Sequence, residues 1–178
     1  MERTLKTIRT NGIAQALSKA QVYRYLKEPE EAESICRDIL AIDPENQAAL
    51  RLLGLSITDQ FVGEPSGRCA EAESVFRRLT DPYAQHYYLG ILSERRAKAQ
   101  MRNGRPAYLV VALIEEAMRN FEAAEKIRPP DNDESVLRWN RCVRLLEKLP
   151  RTDADERREE LEDHDTAPVQ LRPTGARR

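Results

Sequence analysis

The chain has 178 residues, 40% of them hydrophobic and 33% charged, with only three Phe and one Trp. That composition suits a helical array with a wetted surface better than a compact β-rich fold. A net charge of −1 and a pI near 6.2 lack the basic excess that electrostatic nucleic-acid binding requires.

The predicted elements run as follows. A first helix covers about residues 5–26, with Ile13, Leu17, Ala20 and Tyr23 stepping by three and four. Lys27-Glu28-Pro29 breaks it, and a second helix carries Ala32, Cys36 and Ile39 to about residue 42. Asp43-Pro44-Glu45-Asn46 closes this hairpin, because proline cannot continue a helix. A third helix presents Leu50, Leu53, Gly54 and Ile57. A turn-rich connection from Val62 to Gly67 leads to a fourth helix over about residues 70–79. Asp81-Pro82 reads as an N-cap followed by proline at the first helical position.

The third hairpin starts there. Asn103-Gly104-Arg105-Pro106 is its one strong turn signal before Pro129, so both of its helices run to roughly 20 residues. A last helix spans about residues 134–149, capped by Asp131 or Asn132, with Val136, Trp139, Val143 and Leu146 as its stripe. Residues 1–149 therefore form one helical domain. Residues 150–178 are highly charged, with too little apolar surface to offset chain entropy, and read as a disordered tail.

One layout recurs three times. Ala32, Ala72 and Ala117 are each followed four residues on by Cys36, Phe76 and Phe121, and three further by Ile39, Leu79 and Ala124. A proline then closes each segment. With Leu53-Gly54, Leu89-Gly90, Ala20 and Tyr23, these residues resemble tetratricopeptide repeats. Ala20 to Ala32 is 12 residues, and Ala32 to Gly54 and Ala117 to Trp139 are both 22, the family's distances. Small residues there let helices approach to about 8 Å.

The chain departs from the pattern in three places. Gly54 to Ala72 is 18 residues, Gly90 to Ala117 is 27, and Ala72 to Gly90 is 18. The resemblance implies an all-α fold: an irregular α-solenoid of three hairpins and a C-terminal capping helix, with Trp139 in the cap's small-residue slot. The repeat style points to a bacterial-type cytoplasm.

Chemistry is sparse. His86 and His164 have no partner at metal-ligand spacing, and Cys36, Cys69 and Cys142 lack activating neighbours. No phosphate-cradling glycine loop is present. No enzyme activity, cofactor or metal is expected. The N-terminus lacks the apolar run of a signal peptide, and no stretch approaches the ~20 apolar residues of a membrane span. Three cysteines without paired spacing suit reduced thiols in a cytoplasm.

The expected function is protein–protein binding, as an adaptor, scaffold or assembly factor that takes a peptide or helix in a concave groove. The family's groove slots transfer to Leu17, Gln21 and Tyr25, then Arg51 and Leu55, then Tyr87, Ile91 and Arg95, then Val136, Asn140 and Arg144. Leu17 and Gln21 stand where the chaperone-tail clamp of the family uses Lys and Asn, so that ligand is not expected. The basic group Arg95, Arg96, Lys98, Arg102 and Arg105 reads as a solvated face paired with Glu94, Glu115 and Glu116, the alternative being a contact for an acidic peptide or RNA. Residues 107–114, including Tyr108 and Val111, are apolar all round a helix. They either pack on Ile57, Phe61 and Val62 or form a surface for self-association, which makes a homo-oligomer the alternative.

Overall fold

Among the described residues, seven α-helices follow one another. A computed structural model describes residues 3–62 and 66–149, and every regular element among them is helical. The helices are α1 (Ile13–Tyr25), α2 (Pro29–Leu40), α3 (Gln47–Asp59), α4 (Ser66–Arg77), α5 (Pro82–Arg102), α6 (Ala107–Lys126) and α7 (Glu134–Leu146). Residues Met1–Lys148 form one unit. The expected tail over residues 150–178 lies outside the described residues, as does part of the connection after Val62.

Local signals set most boundaries. Asn46 caps α3 by accepting from the Ala49 amide at 3.0 Å. Asp81 caps α5 by accepting from the Tyr83 amide at 3.1 Å, with Pro82 in the first turn. Asn132 accepts from the Glu134 amide at 3.0 Å where α7 begins. α5 ends in a Schellman motif: the Arg105 amide donates to the Gln100 carbonyl and the Gly104 amide to the Met101 carbonyl, both at 3.1 Å. Gly104 supplies the left-handed residue, at φ +63°. α1 ends the same way, but its left-handed residue is Lys27, at φ 62°.

The first helix starts later than expected. Residues 3–9 form no regular element, and only a 3-10 turn at Thr10–Gly12 precedes α1. Leu5 is almost fully exposed, so this segment buries no stripe to hold it helical.

Each helix packs on the next, and α1 also touches α3, as α3 touches α5. The recurring positions are the core: Ala32, Cys36 and Ile39, then Ala72, Phe76 and Leu79, then Ala117, Phe121 and Ala124 are all buried. The glycines sit against the aromatic of the following helix. A Cβ on Gly54 would lie 2.3 Å from Phe76 Cε1, and one on Gly90 would lie 2.6 Å from Phe121 Cε1. Only a residue without a side chain lets these rings fill the space.

α7 is turned by one residue from the expected stripe. Its buried residues are Ser135, Cys142 and Leu145, not Val136, Trp139, Val143 and Leu146. Cys142 stands eight residues after the start of α7, as Gly90 does in α5. The smaller Ser135 and Cys142 thus enter the helix contact. Trp139 lies half-buried beside it, its indole N–H donating to Glu122 of α6 at 2.9 Å.

On the side formed by α2 and α4, charges are matched. Arg37 and Arg68 pair with Glu33 and Glu71, Arg77 with Glu73, and Arg78 with Glu45. Burial works against the charge of Glu33, but hydrogen bonds from Arg68, Arg37 and Gln60 outweigh it. The carboxyl is held down at about 2.

Candidate functional site

α1, α3 and α5 lie side by side, and their outward faces enclose a cleft of about 240 Å³. Gln21, Arg24 and Tyr25 come from α1, Arg51, Leu52 and Leu55 from α3, and Tyr88 from α5. The cleft brings together the expected residues Gln21, Tyr25, Arg51 and Leu55. Tyr25 is 87% exposed at the rim. Leu52 and Leu55 with Tyr88 supply apolar wall, and Tyr88 stacks on Phe76 at 5.5 Å between ring centroids. Burial first, with the neighbouring Tyr87, raises the Tyr88 hydroxyl above its usual value, while the positive charge of Arg51 opposes this. Tyr88 therefore stays neutral beside the Arg51 guanidinium.

Arg95 occupies a different role from a free groove cation. It pairs with Asp59 at 2.7 Å, and donates to the Leu55 carbonyl at 3.0 Å and to the Thr58 hydroxyl. Asp59 also holds Arg24 at 2.8 Å. The Arg24–Asp59–Arg95 set thus ties α1, α3 and α5 together. Burial, with Arg24 and Arg138 nearby, depresses the Arg95 guanidinium below its ordinary value.

Glu94 is fully buried and carries two cations, Lys98 from its own helix and Arg138 of α7 at 3.3 Å. The basic group expected on the third hairpin is therefore divided. Arg95 and Lys98 serve internal carboxylates, and Arg102 donates to the Phe61 carbonyl at 3.4 Å.

Tyr87 is buried. It stacks on Tyr83 at 5.8 Å, meets Tyr88 edge-on at 5.2 Å, and leans on Phe121 at 5.9 Å. Its edge lines a shallow pocket with Glu134, Leu137, Arg138 and Arg141. Asn140 is half-buried and lines neither this pocket nor the α1–α3–α5 cleft. The one-residue turn of α7 exchanges Asn140 for Arg138 and Arg141. Sequence reasoning missed those two arginines, together with Arg24 and Tyr88. The Glu134-to-Cys142 spacing was the signal for the first pair, and the i+3 position beside Gln21 for Arg24.

α6 divides its apolar residues. Val110 and Ile114 are buried, Val111 is half-buried, and Tyr108 and Leu109 are 65% and 41% exposed. Ile57 and Phe61 belong to a core cluster that takes Leu92 and Ala99 from α5, while Val62 is exposed.

All three cysteines are buried free thiols. Burial pushes Cys36 and Cys142 up to about 12 and raises Cys69, so none is a ready thiolate. Among the described residues no cluster of His, Cys, Asp and Glu is placed to hold a metal, and no helix is long and apolar enough to cross a membrane. Compared with protein-family models, curated proteins and solved structures, the chain gives no match.

Proposed function

We propose that the chain is a tetratricopeptide-like solenoid of three hairpins and a capping helix that binds a protein partner as an adaptor or assembly factor. The recurring buried alanines with Cys36, Phe76 or Phe121 four residues on, and the contacts of α1 with α3 and α3 with α5, support the repeat reading. The observation that carries the binding reading is the cleft, where an exposed Tyr25, two arginines and an apolar wall converge. Surfaces of this make-up, with aromatic and Arg anchors over an apolar floor, are where interface energy concentrates. A peptide or helix laid across α1, α3 and α5 would meet all of them.

Capture of the partner from native lysate tests it. Arg51→Ala and Tyr25→Ala should each weaken capture by at least about 1 kcal/mol while leaving the helical signal and melting temperature unchanged. Capture untouched by both changes removes the cleft as the interface. A second reading, self-association through α6, rests on the exposure of Tyr108 and Leu109. Tyr108→Glu should then lower the oligomeric state while the cleft variants do not.

A further inference from the structure

The two sides of the protein treat charge differently. Where α2 and α4 meet solvent, Arg37, Arg68, Arg77 and Arg78 face Glu33, Glu71, Glu73 and Glu45, one carboxylate for each cation. Along α1, α3, α5 and α7 the match fails. Asp59 is shared by Arg24 and Arg95, and Glu94 is shared by Lys98 and Arg138. Arg51 lines the cleft beside Tyr88 and forms no ion pair with a carboxylate among the described residues. Arg141 is exposed at the far end. Asp81, beside Arg51, already caps α5, and Glu134 lies near Arg138 and Arg141. The cleft and the α7 pocket together are lined by four arginines, Arg24, Arg51, Arg138 and Arg141, and by one carboxylate, Glu134, with Asp59 and Glu94 paired to Arg24 and Arg138, on a chain whose net charge is −1.

We infer that the partner segment held in the cleft is acidic: a peptide whose Asp or Glu side chains reach Arg51, Arg24 and the Arg138–Arg141 end, with a bulky apolar residue seated against Leu52, Leu55 and Tyr88. This rests on the groove reading above and adds the chemistry of the ligand. Guanidinium groups favour carboxylates because two parallel N–H donors match two oxygens. Arg51 stands over an apolar wall in a cleft, where that attraction is screened less than on an open surface. Asp59 and Glu94 already hold Arg24, Arg95, Lys98 and Arg138 in place, so an arriving carboxylate meets a largely fixed array. Recognition is of side chains along the segment, so a free C-terminal carboxylate is not required.

The test uses the full chain and fluorescein-labelled peptides of about twelve residues, amidated at the C-terminus. One alternates Glu and Leu around a central Phe; matched peptides carry Gln or Lys in place of Glu. Fluorescence anisotropy should show the Glu peptide binding at least ~10-fold tighter than the Gln peptide, and no binding of the Lys peptide. Arg51→Ala should lose most of the preference, Arg51→Lys should keep part, and Arg51→Glu should favour the Lys peptide. Each variant should melt as the parent does.

Equal binding of the Glu and Gln peptides, both weakened by Arg51→Ala, overturns the acidic ligand and leaves the groove standing. Glu-peptide binding that ignores every Arg51 change overturns the groove as well. A uridine oligonucleotide of equal charge that binds as tightly as the Glu peptide overturns the proposal in favour of a bare polyanion surface. Failure of all the peptides to bind overturns it too.

Discussion

Replacing Gly54 by alanine adds one methyl group where α3 meets the Phe76 ring of α4. That Cβ would stand 2.3, 2.6 and 2.7 Å from three ring atoms of Phe76, where ordinary contact begins near 3.4 Å. Ring or helix must therefore give by about 1 Å. Phe76 is fully buried and stacked on Tyr88, so the ring has no open side to swing toward. Overpacking of this kind costs about 1–3 kcal/mol, and a 1 Å displacement belongs at the upper end. Alanine returns up to about 1 kcal/mol of helix propensity. The net loss is about 2 kcal/mol, a fall in melting temperature of about 4–8 °C for a domain of this size. Gly67→Ala is the control: Gly67 lies exposed in α4 with nothing within 4 Å of its would-be Cβ. The same substitution there should stabilise by about 0.5–1 kcal/mol. Adding Phe76→Leu to Gly54→Ala should leave a coupling energy of at least about 0.5 kcal/mol. Thermal and urea unfolding followed by circular dichroism measure all of these. A Gly54→Ala protein that melts at or above the parent would refute the contact and the repeat geometry built on it.

Other consequences follow from particular residues. Lys27→Gly should raise stability by about 1 kcal/mol and Gly104→Ala should lower it by a similar amount, since each governs a left-handed residue closing a helix; equal melting temperatures would contradict this. Glu33 has a folded pKa below its unfolded value, so its contribution is complete above about pH 4.5 and is lost as the pH falls toward 2. A shift of that size corresponds to about 3 kcal/mol, and screening of the part-exposed Arg37 and Arg68 leaves about 1–2 kcal/mol. Glu33→Gln should flatten that part of the curve of stability against pH, and an unchanged curve would show that the network carries no weight. Arg95→Ala should cost about 2 kcal/mol in urea unfolding, less than a fully orphaned charge because Asp59 keeps Arg24; a change under about 0.5 kcal/mol would leave Arg95 as a surface cation.

What could be read from the sequence depended on how short-ranged its cause was. Asp81-Pro82 and Asn103-Gly104-Arg105-Pro106 encode their cap and turn within a few residues, and the helix ends fall there. Ala32, Ala72 and Ala117 with their four-residue partners marked the core, because a buried stripe must repeat at the helical period. α7 was different: Val136, Trp139 and Val143 form as good a stripe as Ser135, Cys142 and Leu145, and only packing against α6, with Arg138 reaching Glu94 of α5, selects the smaller set. Part of the cleft was legible, since Gln21, Tyr25, Arg51 and Leu55 share helix faces one turn apart. The role of Arg95 was not, because Asp59 lies 36 residues away and no local spacing links them. The burial of Tyr87 likewise follows from Tyr83 and Phe121 meeting it in space.

The most direct test of the account is a contest between two exposed tyrosines. Tyr25 stands at the rim of the cleft and Tyr108 on the outer face of α6. A photo-cross-linking phenylalanine analogue is placed at one position or the other, and the protein is irradiated in the cells that make it. The account predicts a covalent adduct with a second protein from position 25, abolished by Arg51→Ala, and none from position 108. An adduct from position 108 alone, or one from position 25 that persists with Arg51→Ala, would contradict it.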